Sequence, residues 1–257
     1  MNMVRSRRQG ATLVEVLVYT VIMVLVFAAI LGIFVAGRRY FEIARASVDV
    51  QQAANVAANK VARELMESTV QGIEFFPNSN FTSEPVGVVL LSARNAQGQF
   101  QYDSNLGIPV WQKYVGYYLA DDQENTASGT RSQALFRAEY ALSSPTTTPA
   151  KGSTQSPQVT PSFLASSGTN RRKVANWVVA PNASVSAPDG TVLVSAGSHG
   201  GFDVYSLVNG AKTYDEAANP IFLELQMLST RAGVAQASRR TANVNAVTSK
   251  IKIEVRG

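Results

Sequence analysis

An unbroken apolar tract near the start of the chain limits its fold more than any other feature. From Ala11 to Ala36, 22 of 26 residues are apolar, the exceptions being Thr12, Glu15, Thr20 and Gly32. Val16 to Ala36 is a run of 21 residues without a charge. As α-helix, at about 1.5 Å per residue, that run reaches about 31 Å, close to the thickness of a bilayer's hydrocarbon core. The tract predicts one transmembrane helix over 11–36, because buried helices of soluble domains seldom sustain so long a run. The whole chain of 257 residues is only 16% charged, with a net charge of +5, and Arg5, Arg7 and Arg8 supply three of those charges ahead of the tract. The nearly neutral remainder argues against a nucleic-acid-binding domain with a broad basic face. The absence of cysteine excludes a disulfide scaffold, a thiolate metal site and a cysteine nucleophile.

A short Arg-bearing start before an apolar stretch also fits a cleaved secretory signal, with small residues at Val35-Ala36-Gly37. Two features oppose that reading: the stretch exceeds the usual h-region, and it contains Glu15. An ionised acid costs about 2.5–3.5 kcal/mol at mid-bilayer, less near a helix end. Glu15 therefore calls either for a partner or for a place at a helix start, where the dipole favours a carboxylate. Basic residues do not fix orientation, since Arg38, Arg39 and Arg45 follow the span as Arg5, Arg7 and Arg8 precede it.

The string Gly10-Ala11-Thr12-Leu13-Val14-Glu15, followed by the apolar run, resembles the class III signal of type IV prepilins and type II secretion pseudopilins. The resemblance implies a leader at 1–10, held on the cytoplasmic side by Arg5, Arg7 and Arg8. It also implies a membrane aspartyl peptidase that cuts after Gly10 and methylates Ala11. Cutting there would create an α-amine four residues before Glu15, about 6 Å away along a helix. Opposite charges attract more strongly in low dielectric, so Glu15 of one subunit would pair with the new ammonium of its neighbour and set the stagger between helices. The implied partners are the prepilin peptidase/methyltransferase, other minor and major pilins or pseudopilins, an inner-membrane assembly platform and lipid. The implied location is the bacterial inner membrane, single-pass, with the C-terminal domain extracytoplasmic.

Beyond the span, Ser47, Val50, Ala54, Ala57, Val61 and Leu65 recur at three- and four-residue steps, with polar residues between them. The spacing predicts a single stem helix over 11–72, stopping near Gly72 before Pro77, with its second half packed on a domain. From residue 73 the period becomes alternating. Strands are expected at 86–91, 111–119, 134–142, 175–180, 191–194, 202–207, 221–228 and 250–256, the last two pairing with each other. The expected fold is α+β and pilin-like: a long N-terminal helix on an antiparallel sheet domain spanning 73–257. The Ser/Thr/Pro-rich stretch 143–170 reads as a flexible insert. The aromatic run Trp111–Leu119, with Arg137 on the next strand, looks like the corresponding strands of J-type minor pseudopilins and W-type minor pilins.

Phosphate-loop, dinucleotide and zinc-protease motifs do not occur. The single histidine, His199, lies near Ser195, Ser198 and Asp203 in a glycine-rich stretch that reads as a hairpin turn. Asp121, Asp122 and Glu124 lack calcium-loop spacing and read as a turn. No cofactor, metal site or enzymatic activity is expected. Arg171, Arg172 and Lys173, with Trp177 nearby, form the tightest basic cluster, a solvated loop end or a contact for nucleic acid. The expected function is a minor pilin or pseudopilin that primes or tips a type IV pilus or secretion pseudopilus. The alternatives are a DNA-uptake pilin, a membrane-anchored periplasmic binding module, and a secretory protein cleaved near Arg38.

Overall fold

The computed structural model describes residues 12–122, 132–148, 159–186, 192–215, 217–228 and 246–255. The chain divides into two compact units, Met1–Arg45 and Ala46–Gly257. One helix, α1 (Leu13–Glu67), contributes to both. Within the first unit its apolar side chains are exposed on all sides, among them Leu17, Val24, Phe27 and Phe34. The helix is long and apolar enough to cross a membrane. Thr20 satisfies its hydroxyl by donating to the Val16 carbonyl at 2.8 Å, so the polar atom inside the tract has a partner.

In the second unit α1 is one-sided. Val50, Ala54, Ala57, Ala58, Val61, Ala62 and Leu65 are buried, and four of those seven are alanines that let the helix backbone sit close to the sheet. The helix stops at Glu67, earlier than the sequence predicts. Thr69 is already extended, at φ −116° and ψ 149°, and Val70–Gly72 is a separate 3-10 turn. Ser68, Thr69 and Val70 are weak helix formers, two of them β-branched, so nothing local carries the helix on to Gly72.

The strands are β1 (Ile73–Phe76), β2 (Gly87–Ser92), β3 (Trp111–Ala120), β4 (Ser132–Thr146), β5 (Thr169–Val179), β6 (Ser184–Ser186), β7 (Val192–Ser195), β8 (Phe202–Val208), β9 (Ala211–Thr213), β10 (Ile221–Leu228) and β11 (Ala246–Ile253). Every pairing is antiparallel. The main sheet runs β1-β2-β3-β4-β5-β10-β8-β9, with β11 also paired to β10, while β6 and β7 form a separate pair. The architecture is α+β, as the period change predicts. β10 has the bounds read from the sequence and pairs with β11 along its full length, from Ile221 opposite Ile253 to Leu228 opposite Ala246. β1, too short to alternate visibly, was not expected. The alternation after Ile253 does not extend β11, because the Asn219 side chain takes both the Val255 N–H and the Val255 carbonyl in place of a strand.

Both faces of the central strands are covered. On one face Val88, Leu90, Val115, Tyr117 and Leu135 share a core with α1. On the other, Val89, Leu91, Tyr114, Tyr118 and Ala138 pack under a short helix, α2 (Pro161–Ser167). Double coverage explains why Val86–Leu91 reads as a continuous apolar run. α2 corrects the reading of 143–170 as one flexible insert. β4 runs on to Thr146, Thr160 caps α2 by accepting from the Phe163 N–H, Pro161 sits in its first turn, and Leu164 is fully buried. Only 149–158 of that stretch lies outside the described residues. Gly116 of β3 has no side chain because the Leu164 methyl occupies the place its Cβ would take.

β5 is irregular. Its register against β4 shifts three times, and the extra residues include Asn170 and Trp177, both in the left-handed region at φ 49° and 61°. Such bulges re-aim the side chains that follow them. At the far end of β5, Gly201 bridges two strands, donating its N–H to Val179 and accepting from the Gln226 N–H. A Cβ on Gly201 would lie 2.5 Å from the Gln226 carbonyl and 2.9 Å from the Val179 nitrogen, both backbone atoms that cannot turn aside. Gly201→Ala is expected to destabilise the domain by about 1–3 kcal/mol, read as a lower denaturation midpoint with an unchanged slope.

Candidate functional site

Two sets of residues carry the features singled out in the sequence. The first is the start of α1. Arg5, Arg7, Arg8, Gly10 and Ala11 lie outside the described residues. Glu15 is the third residue of α1, and Thr12 precedes the helix. The Glu15 N–H donates to Thr12 Oγ1 at 3.3 Å, and the Thr12 N–H donates to Glu15 Oε2 at 3.4 Å. This reciprocal pair is a capping box, in which two backbone N–H groups that begin a helix without partners are both satisfied. The Thr12 carbonyl accepts from the Val16 N–H at 3.1 Å, the first helical bond. The acid of the apolar tract therefore ends the helix at the position where the dipole favours negative charge.

The second set joins the last turns of α1 to the sheet. Arg137 on β4 is only 4% exposed. Its Nε lies 3.1 Å from both carboxylate oxygens of Glu64, and its second terminal nitrogen is 3.0 Å from Glu64 Oε1. Its other fork nitrogen bonds Glu139. Glu139 also accepts from Lys113 Nζ at 2.9 Å and from Asn170 Nδ2 at 3.0 Å, the latter placed there by its bulge. One turn beyond Glu64, Glu67 receives the Arg94 fork at 2.6 and 2.7 Å. Burial works against a charged Glu139, yet hydrogen bonds from Lys113, Arg137 and Asn170 hold its carboxyl down at about 2. Burial likewise works against a charged Arg137, and pairing with Glu64 outweighs it and raises its pKa. Burial, then Glu64, push the neighbouring Tyr117 phenol up. Arg137 and Glu139 are thus fixed charges throughout the physiological range.

The basic run on β5 is divided among different partners. The Arg171 guanidinium lies 4.5 Å over the Phe136 ring, Lys173 pairs with Asp122 at 2.7 Å, and Arg172 sits opposite Arg137 in the register. Trp177 packs against the small core of Val179, Ala196 and Leu228. Asp121 accepts from Gln133 at 3.1 Å, and Glu124 lies outside the described residues. The His199 ring stacks on Tyr214 at 3.6 Å, and no hydrogen bond joins it to Ser195, Ser198 or Asp203 among the described residues. Burial lowers its pKa. Gly200, at φ +66°, closes a turn by donating to the Gly197 carbonyl, but this is not the expected hairpin, because β7 pairs with β6 and β8 with β9 and β10.

Sequence reading reached Arg137 only through a resemblance and did not assign Glu64 or Glu139 a role. The signal was present in the parity of β4: Arg137 and Glu139 share a face with buried Leu135, so two charges stand on the core side. Comparison with family models, curated proteins and solved structures finds nothing that matches this chain.

Removing one member of a buried ion network leaves the others unpaired. Arg137→Met is expected to cost about 3–5 kcal/mol, and adding Glu64→Leu should recover a large part of it, the difference being read as a coupling energy from a double-mutant cycle. Glu139 has a depressed folded pKa. Its contribution to stability is therefore complete above the ordinary glutamate value of 4.5 and is lost as pH falls from there towards about 2. Denaturation followed between pH 6 and pH 2 should show that loss, and Glu139→Gln should flatten it.

Proposed function

We propose that this chain is a minor pilin or pseudopilin, a structural subunit that enters a type IV pilus or type II secretion pseudopilus after its leader is cut at Gly10. The observation that carries this reading is α1 itself: one continuous 55-residue helix, apolar and exposed through its first part, and from Val50 to Leu65 built into the core of an antiparallel sheet. A helix of that composition has two tasks, to sit in lipid and to present a domain. The Thr12–Glu15 box adds support, because it places a carboxylate at the end of the helix where cutting after Gly10 would leave a new amine.

In this reading the N-terminal half of α1 anchors the chain in the bacterial inner membrane, with the sheet domain extracytoplasmic. Its partners are the prepilin peptidase/methyltransferase, neighbouring pilins and the assembly platform. Its work is assembly rather than catalysis. On β5 Lys173 is paired with Asp122 and Arg171 lies over the Phe136 ring, a division that gives the DNA-uptake reading less support than three adjacent cations in the sequence suggest.

Intact-mass measurement of the cellular protein tests the reading directly. The expected product begins at a methylated Ala11, and a chain retaining its first ten residues in cells with active processing would refute the assignment. A start near Arg38 would instead identify a cleaved secretory protein. For Glu15, Glu15→Gln keeps a capping acceptor and removes the charge, whereas Glu15→Val removes both. Both variants should insert into the membrane and lose co-isolation with partner pilins several-fold. If Glu15→Gln retains full recruitment, the carboxylate serves the helix end alone.

A further inference from the structure

Between the last turns of α1 and the β4–β5 pair lies an open cleft of about 540 Å³. Its floor is electrically balanced, with Arg137 and Lys113 set against Glu64 and Glu139. On one wall Arg94 is committed to Glu67, and Arg171 to the Phe136 ring. Two further cations line the cleft, Arg63 on the exposed side of α1 and Arg172 on β5. Lys60 stands one turn before Arg63. Among the described residues, Lys60, Arg63 and Arg172 make no ion pair and no hydrogen bond through their charged ends.

These charges crowd one another. Arg172 is directly opposite Arg137 across the β4–β5 pair, an arrangement of like charges that destabilises a sheet. Burial and then the Arg172 and Arg137 guanidinium groups lower the Lys60 pKa, with Glu64 only partly opposing them. Two cations without a paired carboxylate, Arg63 and Arg172, thus face a cleft whose floor contributes no net charge, with Lys60 one turn away along α1. A bound anion would relieve that repulsion.

We propose that this cleft binds a phosphate-class dianion, either free phosphate or a phosphomonoester headgroup, gripped from two sides by the Arg63 and Arg172 forks. Charge count favours a dianion over a single carboxylate, because Arg63 and Arg172 both line the cleft without a paired carboxylate. Two planar guanidinium groups approaching from different elements suit the tetrahedral oxygens of phosphate, each taking two. A nucleic-acid strand is disfavoured because it needs successive phosphate contacts, and the neighbouring cations Arg94 and Lys173 are already paired with carboxylates. The inference does not depend on the assembly role proposed above.

Thermal unfolding of the full chain in neutral detergent, at fixed ionic strength, tests it with inorganic phosphate, glycerol 3-phosphate and acetate. Phosphate or glycerol 3-phosphate should raise the Tm in a saturable way, and acetate should not. The double variant Arg63→Gln/Arg172→Gln should lose at least about tenfold in apparent affinity. In phosphate-free buffer that variant should melt no lower than the parent, because it has lost repulsion and no bond. Stronger binding of glycerol 3-phosphate than of phosphate identifies an esterified ligand, and the reverse order a free anion. The proposal is overturned if neither compound raises the Tm, if acetate raises it equally, or if the double variant responds as the parent does.

Discussion

The position of α1 on the sheet rests on a buried ion pair. The stripe from Val50 to Leu65 is mostly alanine and valine, small and nearly uniform, and apolar contact alone would discriminate poorly between this register and one displaced by a turn, about 5.4 Å. The Glu64–Arg137 pair does discriminate. Any rotation or slide of α1 takes the Glu64 carboxylate off the Arg137 fork and leaves both charges in a poorly hydrated place, at a cost of several kcal/mol. A hydrophobic pair of similar volume would hold the helix at least as tightly and would permit more alignments. Glu64 and Glu67 also lie at the wrong end of the helix for carboxylates, where the dipole favours cations. The Arg137 and Arg94 forks offset that penalty, so the last turn of α1 is stable only against this sheet.

Most of the fold is legible in the sequence because period and burial coincide. β10 alternates Leu223, Leu225 and Met227 with Glu224 and Gln226, and β11 alternates in turn, so their pairing follows from one face being apolar in each. The legible part ends where tertiary contact replaces local pattern. β1 has only four residues. β5 carries bulges at positions marked by no glycine, and Trp177 in the left-handed region would not be inferred for a large aromatic residue. α2 hides in a stretch whose composition is that of a loop. Its Thr160 cap, Pro161 and the Phe163-Leu164 pair are a helix start in miniature, outweighed in the sequence by the Ser, Thr and Pro residues before them.

The candidate site divides in the same way. Glu15 stands out because a charge inside an apolar tract is visible without any structure. Glu64 does not, since on an amphipathic helix a carboxylate one position from the apolar stripe looks like any solvated residue, and only the sheet laid against it buries the charge. Arg172 is the opposite case. In the sequence it belongs with Arg171 and Lys173, and pairing of β5 with β4 separates them, because each takes its surroundings from a different neighbour. Charge clustering along a strand is thus a poor guide to charge clustering in space, given that successive side chains point to opposite faces.

The capping box also bears on how a lone acid is tolerated at the head of an apolar helix. An ionised carboxylate offers about four acceptor positions, and the Thr12 N–H takes one of them, at the long distance of 3.4 Å. The bond is too weak to remove the cost of the charge, yet it turns the carboxylate back towards the chain start. In the proposed assembly reading that is the direction from which an α-amine would approach, whether from the same chain or from a neighbour. In that reading the remaining acceptor positions would face such a cation, and local capping and intersubunit pairing would add to each other. Capping would then lower the cost of the charge in lipid, and what remained of it would be the part a neighbouring ammonium relieves, so that the stagger between helices would depend on a charge that the isolated chain cannot fully satisfy.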